Sequence, residues 1–123
     1  MKKLLNLIFI MILFCVPSLV YAQSVEYCIP STAYAADAKV VGGAGKFYGI
    51  SVLTDGVNSV TVTVYDNTAA SGTKIINSWV VVASSSTTQV FGFDPGVQYN
   101  NGIYVDVTLA AGTVAYTIYY TKN

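Results

Sequence analysis

The chain contains no histidine and no arginine, and only 10% of its 123 residues are charged. Without histidine there is no imidazole base for a Ser–His or Cys–His nucleophile, and the commonest metal ligand is missing as well. Cysteine is almost absent. Cys15 lies in a leader-like stretch, so Cys28 stands alone and can supply neither a disulfide framework nor a structural zinc site. "GGAGKFYG" (Gly42–Gly49) lacks both the glycine spacing and the hydroxyl after lysine that a phosphate-cradling loop needs.

Acids are few: Glu26, Asp37, Asp55, Asp66, Asp94 and Asp106. Glycoside hydrolysis would need two of them facing one another. Asp55, Asp66 and Asp94 fall at strand ends or turns, where aspartate accepts backbone hydrogen bonds, and Asp106 falls on the outward side of its strand. We therefore expect neither an enzyme nor a cofactor. Calcium would be the ion to suit such acids, with Asp66 and Asn67 as ligands and Asp94 or Asp106 joining from other loops. The alternating-acid loop of a dedicated calcium site is absent, and ordinary turn chemistry is the reading preferred.

All six cations are lysine, and Lys2 and Lys3 open the chain. "MKKLLNLIFIMILFCVPSLVYAQ" has the build of a secretory signal peptide: positive start, apolar run from Leu4 to Val16, Pro17, and Val20-Tyr21-Ala22 as cleavage site before Gln23. The expected organisation is a signal peptide at 1–22, an N-terminal strand and flexible segment at 23–44, and a domain at 45–123. An exported product follows, in the periplasm, at the cell surface or outside. Beyond the signal, four lysines meet six acids, a balance that predicts no nucleic-acid partner and no membrane contact except through an uncleaved signal. Cys28, alone in an oxidising compartment, is expected to be buried or to bridge between chains, burial being the commoner fate of a free cysteine.

What the mature chain has in abundance is alternation. Val25–Ile29 is a short strand candidate ended by Pro30, and residues 31–37 read as a linker. Lys46–Thr54 alternates, with Tyr48, Ile50 and Val52 expected inward and Phe47, Gly49, Ser51 and Leu53 outward. In Val57–Asp66, Val60, Val62 and Val64 point inward and Thr61, Thr63 and Tyr65 outward. Thr73–Ala83 is a further strand, and Ser84–Thr88 a hydroxyl-rich turn. Gln89–Phe93 is expected to end at a turn over Asp94-Pro95-Gly96, with loop from there to Gly102. Two last strands, 103–109 and 114–120, are expected to pair as a hairpin across Ala110–Thr113. Seven or eight short strands with regular turns predict an all-β fold, a single antiparallel β-sandwich of jelly-roll or immunoglobulin-like winding.

Nine mature tyrosines and Trp79 accompany these strands. Tyr65, Tyr104, Tyr119 and Trp79 are the candidates for a contact surface, because amphipathic rings suit interfaces. Low charge also leaves few edge lysines to block strand pairing.

"TVYDNTAASGTKI" (Thr63–Ile75), preceded by "GKFYGISV" and followed by "GIYVDVT" and "YTIYY", resembles a small β-sandwich domain of tailed-phage and prophage virion proteins. The resemblance covers about Gly45 to Thr121. It rests on Tyr65, Asp66, Asn67, Thr68, Ser71 and Gly72 in one loop and on Gly102, Ile103, Tyr104 and Val105 in a strand. It implies a structural role as a head, tail or fibre accessory that packs in repeats, with fold and turn maintenance as the work of those residues. The signal peptide departs from that family and points to an exported use of the fold. The expected function is thus a secreted, non-enzymatic assembly subunit that packs with itself or a neighbouring structure. The N-terminal strand is a candidate for donation to a neighbour, with an edge strand of its own sandwich as the simpler reading. The alternative is a secreted binding module that docks a glycan or surface protein through exposed aromatics.

Overall fold

The computed structural model describes residues 28–84 and 87–123. The expected signal peptide, Glu26 and most of the candidate strand Val25–Ile29 lie outside the described residues. Eight strands form two antiparallel four-stranded sheets packed face to face, and no helix forms among the described residues. The strands are β1 (Ile29–Pro30), β2 (Ala38–Gly42), β3 (Gly45–Thr54), β4 (Val60–Tyr65), β5 (Lys74–Val81), β6 (Gln89–Tyr99), β7 (Gly102–Leu109) and β8 (Val114–Lys122). One sheet has the order β1-β8-β3-β6 and the other β2-β7-β4-β5. The chain changes sheet at every connection except β4–β5, which is a jelly-roll winding rather than an immunoglobulin-like one.

The hairpin expected from the last two strands does not form, because β7 and β8 lie in different sheets. Their apolar rows face each other across the interior instead of sharing one face. Alternation records which side of a strand is apolar, and it is the same whether the next strand is a neighbour or lies opposite. Segment 23–44 supplies strands to both sheets. Ile29 and Pro30 pair with Tyr120 and Tyr119, Tyr34 bridges Tyr116, and Ala38 to Gly42 pair with β7. The described N-terminal strand is therefore an edge of its own sandwich.

The core is built from the inward rows Val105–Val64–Ile76, Val107–Val62–Trp79 and Leu109–Val60–Val81 of one sheet. Against them lie Ile118–Ile50–Phe91 and Tyr120–Phe47 of the other. Val60, Val62 and Val64 point inward as the alternation requires. Phe47 does too, against expectation, because the ladder slips at Tyr48 and reverses the phase of β3.

The same slip explains the second correction. Opposite the single residue Tyr48, β6 carries four residues, three more than a regular ladder: Phe47 pairs with Val97, and Gly49 with Gly92. Asp94-Pro95-Gly96 is therefore a bulge inside one long strand and not a turn, and the expected loop 96–102 is strand as far as Tyr99. Proline is tolerated there because β6 is an edge strand, so its missing N–H removes no ladder bond from a second neighbour. A methyl group on Gly96 would lie 2.8 Å from Tyr48 Cε1, so the bulge closes over the tyrosine ring.

Each end of the sandwich is tied by an aspartate. At one end Asp66 Oδ1 accepts from Asn100 N–H (2.9 Å) and Asn101 N–H (2.7 Å), joining the β4–β5 loop to the β6–β7 turn. At the other, Asp55 Oδ1 accepts from Val57 N–H (2.9 Å) and Asn58 N–H (3.0 Å), and Oδ2 from Thr113 N–H (3.4 Å). That carboxylate ties the β3–β4 connection to the β7–β8 connection, and Gly112, at φ 94°, leaves it the space a side chain would fill. Asp37 Oδ1 makes a third such bond, accepting from Val107 N–H at 2.7 Å.

These ties predict two measurable effects. Asp66→Ala leaves two backbone N–H groups without their charged acceptor and lowers unfolding stability by about 2–4 kcal/mol, read by chemical denaturation; a loss below about 0.5 kcal/mol contradicts the tie. Hydrogen bonds from Asn58 and Val57 N–H hold the Asp55 carboxyl below its ordinary value of 3.8. Its contribution is accordingly present above pH 3.8 and fades as pH falls through the lower folded value. The melting-temperature gap between wild type and Asp55→Asn shrinks across that acidic window, and a gap independent of pH contradicts the assignment.

Candidate functional site

The loop 66–73 begins as a turn and stays one. Asp66 N–H donates to Thr73 O (2.8 Å), and Asn67 Nδ2 donates to Ser71 O (2.9 Å) and Ser71 Oγ (3.0 Å). Asn67 closes the loop with its own side chain, as expected, and Gly72 supplies φ 87° before β5. Asp66 directs its carboxylate away from its own loop. It reaches across to the neighbouring connection, a partner that the loop's own sequence does not contain. Among the described residues no three of His, Cys, Asp and Glu cluster closely enough to hold a metal ion, and no cavity opens.

The four candidate contact aromatics do not share a face. Tyr65 and Tyr104 are register partners on the outer face of the β2-β7-β4-β5 sheet, in the row Lys39–Tyr104–Tyr65–Lys74. Tyr65 is only 9% exposed, with the Lys74 ammonium 5.7 Å from its ring centroid, so it offers no open platform. Thr63, expected outward, is buried on the same central strand. Trp79 faces inward from β5, half-buried, its ring centroid 5.4 Å from that of Phe91. Phe91, Phe93 and Phe47 continue this contact at 5.3 and 5.9 Å, an aromatic series that closes the side of the sandwich between edge strands β5 and β6. Ile103 and Val105 of the family-like strand are core residues, and Gly102 adopts φ 144°, where a side chain would press on Val41 O.

Tyr119 lies on the opposite outer face, and that face is the notable one. Its rows are Pro30–Tyr119–Gly49–Gly92, Thr117–Ser51–Val90 and Ala115–Leu53. Three consecutive rows carry no charge. Tyr119 Oη is 3.5 Å from Ser51 Oγ, two residues along β3 from its own register partner Gly49, so the side chain runs along the sheet toward Ser51. Val90, 67% exposed, and Leu53 project from the same rows. Val57, Val80 and Val82 are also exposed at the end tied by Asp55, Val80 on the outer face of the other sheet. Sequence reasoning missed Val90 and Leu53 because alternation names the outward residues of a strand without saying which outward face remains uncovered.

Two tyrosines serve the interior. Tyr99 is fully buried and donates to Thr121 O at 2.8 Å. Burial, and then nearby Tyr120 and Asp66, push its hydroxyl up to about 12. Tyr116 donates to Ala36 O at 2.7 Å, pinning the N-terminal segment, and burial raises its hydroxyl as well.

Cys28, expected to be buried or to bridge between chains, is exposed. It precedes a two-residue strand that is the edge of its sheet among the described residues. Partial desolvation still raises its thiol above the ordinary 9.0. A small disulfide reagent is accordingly expected to label native residues 23–123 at Cys28 without unfolding, more slowly than the unfolded chain at neutral pH, at rates that climb with pH up to and beyond 9.0. Protection until unfolding contradicts this exposure.

Comparison with family models, with curated proteins and with solved structures finds no match to this chain. What is established is the class of the fold, an all-β sandwich of two four-stranded antiparallel sheets.

Proposed function

We propose that the protein is a secreted, non-enzymatic structural subunit that works by packing against copies of itself. The observation that carries this reading is the charge-free outer face built on Tyr119, Thr117, Ser51, Gly49, Gly92, Leu53 and Val90. A face without charge presents no like-charge repulsion to a second copy of itself, and burying its exposed apolar side chains favours association. The β1 edge beside it is two residues long, and β6 is bulged, so face-to-face packing fits better than edge pairing. The virion resemblance suggests the same kind of role, and the signal peptide suggests where it is exercised. An interchain bridge at exposed Cys28 would reinforce such an assembly. The binding-module alternative keeps less support: Tyr65 is buried, Trp79 faces inward, and neither offers a stacking platform.

Light scattering of residues 23–123 across a concentration series tests the proposal. The expected result is a mass that rises with concentration, with or without reductant, and falls to the monomer in Leu53→Lys and Val90→Lys. A monomer at every concentration, or an oligomer indifferent to both substitutions, overturns it.

A further inference from the structure

The four lysines beyond the signal peptide are scattered in sequence, at 39, 46, 74 and 122. In the fold they gather at one end. Lys46 is the second residue of β3, Lys74 the first of β5 and Lys122 the last of β8, and all three strand termini lie at the end tied by Asp66. Lys39 belongs there too: a methyl group on Gly42, the last residue of β2, would lie 3.6 Å from its Nζ. On Gly43 a methyl group would lie 3.9 Å from Lys122 Cε, so both side chains flank the β2–β3 turn. Of the acids nearest this end, Asp66 is buried and engaged by Asn100 and Asn101 N–H, and Asp94 is exposed in the β6 bulge, farther from the pole than the Lys46–Gln98 row. The exposed valines 57, 80, 82 and 90 belong to the opposite half. Residues 23–123, with four lysines against six acids, thus carry a cationic pole.

The geometry points to this pole as a docking site for an anionic lipid surface. Three features select a plane over a groove-bound polymer or a small anion. The lysines surround an end, with Lys39 and Lys74 on the outside of one sheet and Lys46 on the outside of the other, rather than lining a stripe. No cavity opens among the described residues to enclose a discrete ligand. The connections at the pole, Gly43-Ala44, Thr68–Ser71 and Asn100-Asn101, are short and small or polar, which suits contact with headgroups and offers no apolar wedge to insert. Binding is therefore electrostatic, superficial and reversed by salt. This reading goes beyond self-packing and leaves the charge-free face available.

The test is co-sedimentation of residues 23–123, which contain the whole described sandwich, with vesicles of phosphatidylcholine alone or with about one-third phosphatidylglycerol. The expected result is binding to the anionic vesicles only, released at about 0.5 M salt, where screening acts over a few ångströms. Each of Lys39→Gln, Lys74→Gln and Lys122→Gln weakens it about fivefold, with the melting temperature checked for each. Equal binding to neutral vesicles, or insensitivity to the lysine variants, overturns the proposal. Loss of binding in Val57→Ser with Val82→Ser, which would place the opposite end on the lipid, overturns it as well. Preference for soluble polyphosphate over the vesicles would assign the pole to a polymer and overturn the lipid reading.

Discussion

Asp66 takes two backbone N–H groups from the β6–β7 turn while its own N–H closes the β4–β5 loop. That contact joins the one connection that stays within a sheet to one that crosses between sheets. Every other connection crosses, so the backbone groups at both ends fall outside the ladders and must be satisfied by something else. Asp55 does the corresponding work at the far end, and Asp37 where the N-terminal segment meets β7. Half of the chain's six acids are thus used as acceptors for main-chain N–H groups, and little acidic chemistry is left for anything else.

The class of the fold was legible because Val60, Val62 and Val64, or Val114, Tyr116 and Ile118, alternate with small or polar residues, as half-buried strands do. Pairing was not. The sequence of β7 and β8 looks like a hairpin because alternation does not distinguish a neighbour in the sheet from a strand across the core. Tyr48 and Asp94-Pro95-Gly96 misled for a related reason: a bulge inverts the phase of β3 and absorbs a turn-forming tripeptide, and only the facing strand reveals it. For Asp66, the residue type announced a main-chain acceptor, while the donors lay more than thirty residues away.

The candidate surfaces show the same division. Tyr65, Tyr104, Tyr119 and Trp79 were legible as aromatics near the surface, yet the winding distributes them over two outer faces and one closed side. The uncharged rows around Ser51 and the lysine pole both emerge only when strands distant in sequence are placed side by side. Net charge, a sum, carries no information about that segregation. In the resulting picture, Leu53 and the exposed valines occupy one half of a small sandwich and the lysines the other. A surface-associated layer of packed copies would use both.

Engineered disulfide trapping tests the face-to-face arrangement most directly. In a Cys28→Ser background, Val90→Cys puts a thiol on the uncharged face, and Thr108→Cys puts one at an exposed position on the outer face of the other sheet. The account predicts that mild oxidation converts the Val90→Cys protein to a covalent dimer much faster than the Thr108→Cys protein. Equal rates, or faster trapping through Thr108→Cys, would contradict it.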